Sequence, residues 1–269
     1  MNFKMKALVA AVALTASMSA SAAMTNSGSG DSSLILTLLD NQNNISAAFD
    51  LGMSYSTFQA PAVTASGTTF TWDLANNANY SAAWDNFLTV ASGLTGDHWA
   101  VFAGDNLGTG AGAKGMVVSY ASGTSLFTSE LASGLGLFDG YINANNSIGN
   151  HSAVADGSSS ATAGNAFAES AAAYGTNGKI AGKGQIVTWG LFDQSLNVAS
   201  FTSSASVGTQ AVRVDYANAA GAATFTMSSN GVLTYAAPTI SAVPEADSWA
   251  MLLAGLGLMG FIARRRTAA

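Results

Sequence analysis

The stretch Thr224-Phe-Thr-Met-Ser-Ser-Asn-Gly-Val-Leu-Thr-Tyr235 predicts the kind of fold that this chain adopts. Two runs in which threonine alternates with apolar residues flank Asn230-Gly231, the strongest local turn signal in the sequence. Asn-Gly favours the tight turns that join adjacent antiparallel strands, because both residues tolerate a positive φ. The stretch therefore predicts a β-hairpin at the end of the folded part of the chain.

Segments of similar character recur upstream of this hairpin. In residues 211–216, Val212, Val214 and Tyr216 alternate with small or polar residues, which predicts a strand with one buried and one solvated face. The glycine of Asp50-Leu-Gly52 predicts a bulge or bend within a strand. Further strands are predicted over 34–39, 45–49, 53–58, 68–73, 98–103, 116–120 and 186–193.

Helical periodicity is rarer than strand periodicity. One stripe, spaced at i, i+4, i+7, i+8 and i+11, predicts a short helix and consists of Tyr80, Trp84, Phe87, Leu88 and Ala91. An alanine-rich segment over 161–174 predicts a second helix, whereas residues 121–160 predict mostly loop with one helical turn. The sum is a mainly β protein, a single β-sandwich or jelly-roll-like domain with two or three short helices.

The composition of residues 24–242 narrows the classes of function. Four cations stand against thirteen carboxylates there, which gives a net charge of −9. Such a surface repels phosphate, so no nucleic-acid partner is expected. The chain has no cysteine, which excludes thiolate zinc sites, cysteine nucleophiles and disulfides.

No catalytic motif, metal site or cofactor site emerges from the titratable residues. His98 precedes a strand and has only the adjacent Asp97 beside it in sequence, which favours a surface or edge role over catalysis. His151 lies in a Ser/Asn/Gly-rich segment and is expected to be exposed. A two-carboxylate glycosidase stays open, because its partners meet only in the folded structure.

Two binding alternatives also stay open. Oxygen ligands for calcium are available at Asp105-Asn106 and from 139 to 146, although ordinary Asx turns are favoured there. A platform of aromatic side chains could bind sugars, although core packing is favoured for its candidates, Trp72, Trp84, Trp99 and Trp189.

Both ends of the chain have the pattern of processing segments. Lys4 and Lys6, an apolar run over 7–14 and small residues over 19–23 predict a secretory signal peptide at 1–23, cleaved after Ala22 or Ala23. At the other end, Val243-Pro-Glu245 precedes an apolar run from Trp249 to Ala263, and three arginines at 264–266 follow that run. Fifteen residues of helix span about 22 Å, enough for a thin bilayer with the arginines on the cytoplasmic side.

This order of motif, apolar helix and arginine cluster resembles the PEP-CTERM sorting signal of Gram-negative bacteria. Ala246 stands where the family usually has a second proline. The residues that match are Val243, Pro244, Glu245, Trp249, Gly255, Gly257, Gly260, Ala263, Arg264, Arg265 and Arg266.

The resemblance implies export by the general secretion machinery, transient anchoring in the inner membrane and recognition by an exosortase. It also implies release to the cell surface or extracellular space, in the setting of exopolysaccharide and biofilm. The domains expected are the signal peptide at 1–23, a β-rich exported domain at 24–235, a linker at 236–242 and the sorting signal at 243–266. A non-enzymatic surface or matrix protein is the expected function; a polysaccharide-acting enzyme or a carbohydrate- or calcium-binding module is the alternative.

Overall fold

A computed structural model describes residues 23–91, 93–120, 125–162 and 189–240, together with Leu256. The predicted signal peptide, the sorting signal and most of the helix predicted over 161–174 lie outside these residues. Residues 186–188 of the strand predicted over 186–193 also lie outside the described ranges. None of the helices within the described ranges is long and apolar enough to cross a membrane.

The described residues form thirteen strands, three helices and a short 3₁₀ turn at Ser27–Ser29. The helices are α1 Ala60–Val63, α2 Ser81–Ala91 and α3 Thr128–Asn146. The strands are β1 Ser33–Asp40, β2 Ile45–Ser54, β3 Thr69–Asp73, β4 His98–Asp105, β5 Gly115–Tyr120, β6 Ser158–Ala161, β7 Gly190–Leu191, β8 Ser195–Thr202, β9 Val212–Asp215, β10 Ala217–Asn218, β11 Gly221–Ala222, β12 Thr224–Met227 and β13 Val232–Ala236.

Eleven of the strands form one antiparallel sheet in the order β3-β13-β12-β8-β5-β4-β1-β2-β6, with β7 added to β4 and β9 added to β8. The remaining two, β10 and β11, form a small separate hairpin. The sheet is curled, because Trp72 on edge strand β3 donates its indole N–H to the carbonyl oxygen of Leu51 on β2, at 2.8 Å. These two strands are far apart in the strand order, so the sheet must bend round to bring them together.

Each face of the sheet has its own apolar core. The inner face carries Leu34, Leu36 and Leu38 of β1 and packs against α1 and α2. On the outer face, Ile35 of β1 packs in a second cluster with residues of α3. Because alternate side chains of a strand point to opposite faces, β1 is buried on both sides, which explains why its sequence is apolar except for Thr37 and the two end residues.

The mainly β prediction is confirmed, and so is the terminal hairpin. Phe225 pairs with Tyr235 across the hairpin, and Gly231 has φ of 83° in its turn. The predicted bulge is also present, since the register between β1 and β2 shifts between Ser33 and Ile35, close to Gly52. Helix α2 matches its predicted stripe, with Trp84 and Phe87 buried.

The prediction of mostly loop over 121–160 is wrong, because α3 is a helix of 19 residues within that range. Three glycines inside it, each costing about 1 kcal/mol of helix propensity, hide the helix in the sequence. Its buried side chains, which include Leu131, Leu135, Phe138 and Ile142, follow a helical period and pack on the outer face. Tertiary packing therefore outweighs the weak local preference.

The predicted burial of one face of β9 is wrong as well. Val212 is 54% exposed and Val214 is 47% exposed, whereas Tyr216, just beyond the strand, is fully buried. The strand pairs with the second half of β8, on the side opposite β5, and no helix covers it among the described residues. The alternating sequence correctly predicted the strand. It did not reveal that, within the described part of the chain, no other layer of the protein covers the face carrying Val212 and Val214.

Candidate functional site

The folded body ends where the chain leaves it towards the sorting signal. There, Ile240 donates its backbone N–H to Ser66 Oγ at 2.8 Å, and Gly67 donates to the carbonyl oxygen of Pro238 at 3.3 Å. Asn218 of β10 joins both segments, because its Nδ2 donates to the carbonyl oxygens of Pro238 and Thr64, at 2.7 and 3.2 Å. These contacts fix the position of Ile240, the last residue described before the tail.

Three segments thus surround the point of exit, and we call their surface the exit face: residues 64–68, 217–222 and 238–240. All fourteen are uncharged, and most are alanine, glycine, serine or threonine. Ala220 and Ala65 are exposed at this surface. The exit face is therefore a neutral area on a body whose net charge is strongly negative.

The first described residues are fastened to α3. Met24 is 3% exposed, and its backbone N–H donates to Asn146 Oδ1 while its carbonyl accepts from Asn146 Nδ2, both at 2.8 Å. Two helical turns earlier, Asp139 Oδ1 accepts the N–H of Ser27 at 2.6 Å and its hydroxyl at 2.7 Å. The residues that follow the predicted signal peptide are thus part of the core.

Replacing Asn146 by alanine is expected to lower the free energy of unfolding by about 1–2 kcal/mol, because two backbone groups of Met24 lose their partners. Urea unfolding of the exported protein would measure this. Asn143→Ala is the matched control, since Asn143 makes only a long exposed bond of 3.5 Å to Asn26. Equal destabilisation by the two substitutions would contradict the role of Asn146.

These contacts also show what the candidate calcium ligands on α3 bind within the protein. The side-chain oxygens of Asp139, Asn143 and Asn146 accept hydrogen bonds from protein groups. At the second candidate, Asp105 Oδ1 accepts from the N–H of Leu107 at 2.7 Å, which is an Asx turn. Within the described ranges, no group of three or more histidine and acidic side chains is arranged to hold a metal ion.

A pair of buried carboxyl groups lies at the opposite end of the sheet from the exit face. Asp40, at the end of β1, is 2% exposed, and Asp97, just before β4, is 4% exposed. Asp40 accepts the backbone N–H groups of Gln42 and Asn43 at 2.7 and 3.0 Å and the Asn43 amide at 2.6 Å. The same amide donates to the carbonyl oxygen of Ala91, at the end of α2.

Asp97 is an unusually weak acid. Burial, followed by the nearby charge of Asp40 and a hydrogen bond to it, raises the pKa of Asp97 to about 7. With this raised pKa, Asp97 keeps its proton to a higher pH than an ordinary aspartate does. Burial lowers the pKa of the neighbouring His98, against the opposing charge of Asp40. His98 is half-buried at the start of inner strand β4, where it pairs with β1 on one side and β7 on the other, so it does not lie on an edge strand.

The expected exposure of His151 is wrong, because its side chain is fully buried. Its Nε2 lies 3.0 Å from Ser159 Oγ, and that hydroxyl donates to Asn145 Oδ1 at 2.7 Å. Nε2 must therefore carry a proton and donate to Ser159. Burial lowers the pKa of His151 to about 4, so the ring is neutral at ordinary pH. Ser159 cannot give its proton to this histidine, so the pair lacks the geometry of an activated nucleophile.

A cleft of about 340 Å³ lies between α2 and edge strand β6. Its polar lining groups pair with one another: Asn86 Nδ2 donates to Ser160 Oγ at 2.7 Å, and Asn150 Oδ1 accepts from the N–H of Ser158 at 2.6 Å. No tryptophan or tyrosine lines it. The cleft is a polar join between helix and sheet rather than an aromatic sugar platform.

The aromatic candidates for sugar binding belong to the core or its margin. Trp99 is fully buried and Trp84 is 3% exposed, while Trp72 and Trp189 are half-buried. Core packing, the favoured interpretation of these four residues, is therefore confirmed. The pairing of Asp40 with Asp97 was missed, because no local pattern links two acidic residues that meet only through the pairing of β1 with β4.

The residues expected to direct sorting lie outside the described ranges, from Val243 to Arg266, so the structure assigns them no geometry. No curated protein and no solved structure shows significant similarity to the chain. The family model of the PEP-CTERM protein-sorting motif matches residues 242–266, almost the range identified from the residues themselves. The chain thus carries a PEP-CTERM sorting motif at its C-terminal end, which marks it as an exported protein recognised by an exosortase.

Proposed function

We propose that this protein is a non-catalytic component of the cell surface or extracellular matrix, delivered there by exosortase-dependent sorting. The observation that carries the proposal is the sorting motif attached, through only a few residues, to a folded β-rich body. The motif acts as an address, and the folded body is the part that is delivered. Before processing, the apolar run behind the motif anchors the body in the inner membrane.

The character of the body supports a structural role in a hydrated matrix. Its strong negative charge and lack of cysteine keep it soluble and independent of disulfide chemistry. Its two histidines lie in different parts of the fold, one behind the cleft and one beside the carboxyl pair. Exopolysaccharide and biofilm are the setting in which we place this function.

Changing Pro244 and Glu245 to alanine is expected to abolish processing in cells that contain the exosortase, because the enzyme then loses its recognition motif. The intact mass of the exported protein measures this directly. The unaltered chain should lose its C-terminal segment in those cells and keep it in cells without the enzyme. An identical mass in all strains would mean that the tail is a permanent anchor.

The destination of the body is tested separately. Fractionation of exosortase-containing cells should recover the shortened protein with the cell surface and the exopolysaccharide, and not with the inner membrane. Removing the exopolysaccharide by enzymatic digestion should release it. Recovery of the shortened protein free in the medium, before any digestion, would contradict the matrix role while leaving the sorting intact.

A further inference from the structure

The position of the sorting motif relative to the exit face restricts how a processing enzyme can reach it. Ile240 is tied to Ser66, and Val243 follows only three residues later. Even a fully extended chain advances about 3.4 Å per residue, so Val243 lies within about 10 Å of Ile240. An enzyme that holds the motif in its active site must therefore come up against the body.

We propose that the exit face is the surface of the body that contacts the exosortase during cleavage. This inference rests on the proposed sorting function and adds a second element of recognition to the motif. The partner is the exosortase itself and not the lipid surface, because the motif, and not the apolar run behind it, lies within reach of Ile240.

The chemistry of the exit face suits such a contact. A charged side chain trapped against a protein surface loses its hydration, and this cost slows the formation of a complex. The exit face has no charge to desolvate and few long side chains to immobilise. Its shape is also fixed, since Asn218, in one of its three segments, donates hydrogen bonds to both of the others.

The same end of the sheet is not neutral elsewhere. Asp31, just before β1, and Asp105, at the end of β4, lie at the same end of the sheet as the exit face. Both lie outside its three segments. Charged side chains therefore occur at this end of the sheet, but none lies in the three segments of the exit face.

The test places a charge of each sign on the exit face and follows processing in exosortase-containing cells by intact mass. Ala220→Asp and Ala220→Lys should each slow cleavage about fivefold or more, because either charge must be desolvated in the contact. Ala78→Asp is the matched control, since Ala78 is an exposed loop alanine at the opposite end of the sheet. It should be processed at the unaltered rate.

A second variant separates contact from misfolding. Inserting about ten Gly/Ser residues after Ile240 moves the motif away from the body, so the Ala220 substitutions should then have no effect on processing. Persistence of the defect in the lengthened chain would overturn the proposal. Equal rates for the unaltered chain and both Ala220 variants would overturn it too.

The sign of the charge tests the lipid alternative. If aspartate slows cleavage and lysine does not, the exit face senses anionic headgroups and the proposed protein contact is wrong. Failure of the proposed sorting function has a different signature, because the unaltered chain would then remain uncut in cells that contain the enzyme. The unaltered chain alone shows that failure, so it can be told apart from an effect of the Ala220 substitutions.

Discussion

Phe58→Ala is expected to lower the free energy of unfolding by about 4 kcal/mol, a large part of the stability of an ordinary domain. Phe58 is fully buried in the inner core. Its ring stacks on Phe225 with centroids 5.5 Å apart and meets the edge of Tyr235 at 5.0 Å. Removing it leaves a cavity among aromatic rings held by their own hydrogen bonds, so the cavity cannot collapse.

Those hydrogen bonds show why Phe58 occupies a central place. The hydroxyl of Tyr216 donates to the backbone carbonyl of Phe58 at 2.7 Å, and that of Tyr235 donates to the carbonyl of Val63 at 3.0 Å. The segment before α1 is thereby joined to the last third of the chain. Loss of the Phe58 ring should loosen both connections.

Equilibrium unfolding in urea measures the effect on the exported protein. Phe127→Ala is a suitable control, because the Phe127 side chain is 45% exposed and its loss should cost well under about 1 kcal/mol. Phe58→Leu, which keeps most of the volume, should fall between the two. If Phe58→Ala and Phe127→Ala had equal effects, the assignment of Phe58 to the core would be wrong.

Asp97→Asn is expected to remove a pH dependence of stability amounting to about 2 kcal/mol between about pH 5 and about pH 8.5. In the folded protein the pKa of Asp97 is raised to about 7, against an ordinary value of 3.8. Between these values the folded state holds a proton that the unfolded state has released. The contribution of Asp97 is therefore complete below about pH 3.8 and is lost as the pH rises through about 7.

The magnitude follows from the size of the shift. Each pKa unit corresponds to about 1.4 kcal/mol, and partial screening by solvent reduces the ideal total. Other titratable groups also make the free energy of unfolding depend on pH. The pKa of Asp50 is raised to about 6 by burial, and the lowered pKa of His151 stabilises the protein above about pH 6.5 and destabilises it as the pH falls towards 4. Comparing variant with unaltered protein isolates Asp97.

The measurement is a series of urea unfolding curves across this pH range. The free energy of unfolding of the unaltered protein should fall relative to that of Asp97→Asn as the pH rises. Asp85→Asn, which changes an exposed carboxyl on α2, should follow the unaltered protein throughout. Parallel curves for the unaltered protein and Asp97→Asn would show that folding does not raise the pKa of Asp97.

The sequence predicted those parts of the fold that local chemistry specifies. The Asn230-Gly231 turn and the stripe of α2 depend on residues close together in the chain, and both were found. Helix α3 was missed because its stability comes from packing on the sheet, against the preference of its glycines. For the same reason the exposure of Val214 and the burial of His151 could not be predicted, since each depends on which layer covers a segment.

The candidate sites divide in the same way. The sorting signal is linear, so its motif, apolar run and arginines are all visible in sequence. The exit face is assembled from three distant segments, and the Asp40–Asp97 pair comes from two neighbouring strands. Neither could be located before the strand order was known, although the small uncharged character of residues 217–222 was there to see.

The hydrogen bonds that join early and late segments of the chain have a consequence for the timing of export. The partners Tyr216–Phe58, Tyr235–Val63 and Ile240–Ser66 are 158, 172 and 174 residues apart. Contacts of such long range form late in folding. A chain threaded across the membrane from its N-terminus cannot complete them until the final hairpin has emerged. The exported body therefore closes only late in translocation, after its last strand has crossed.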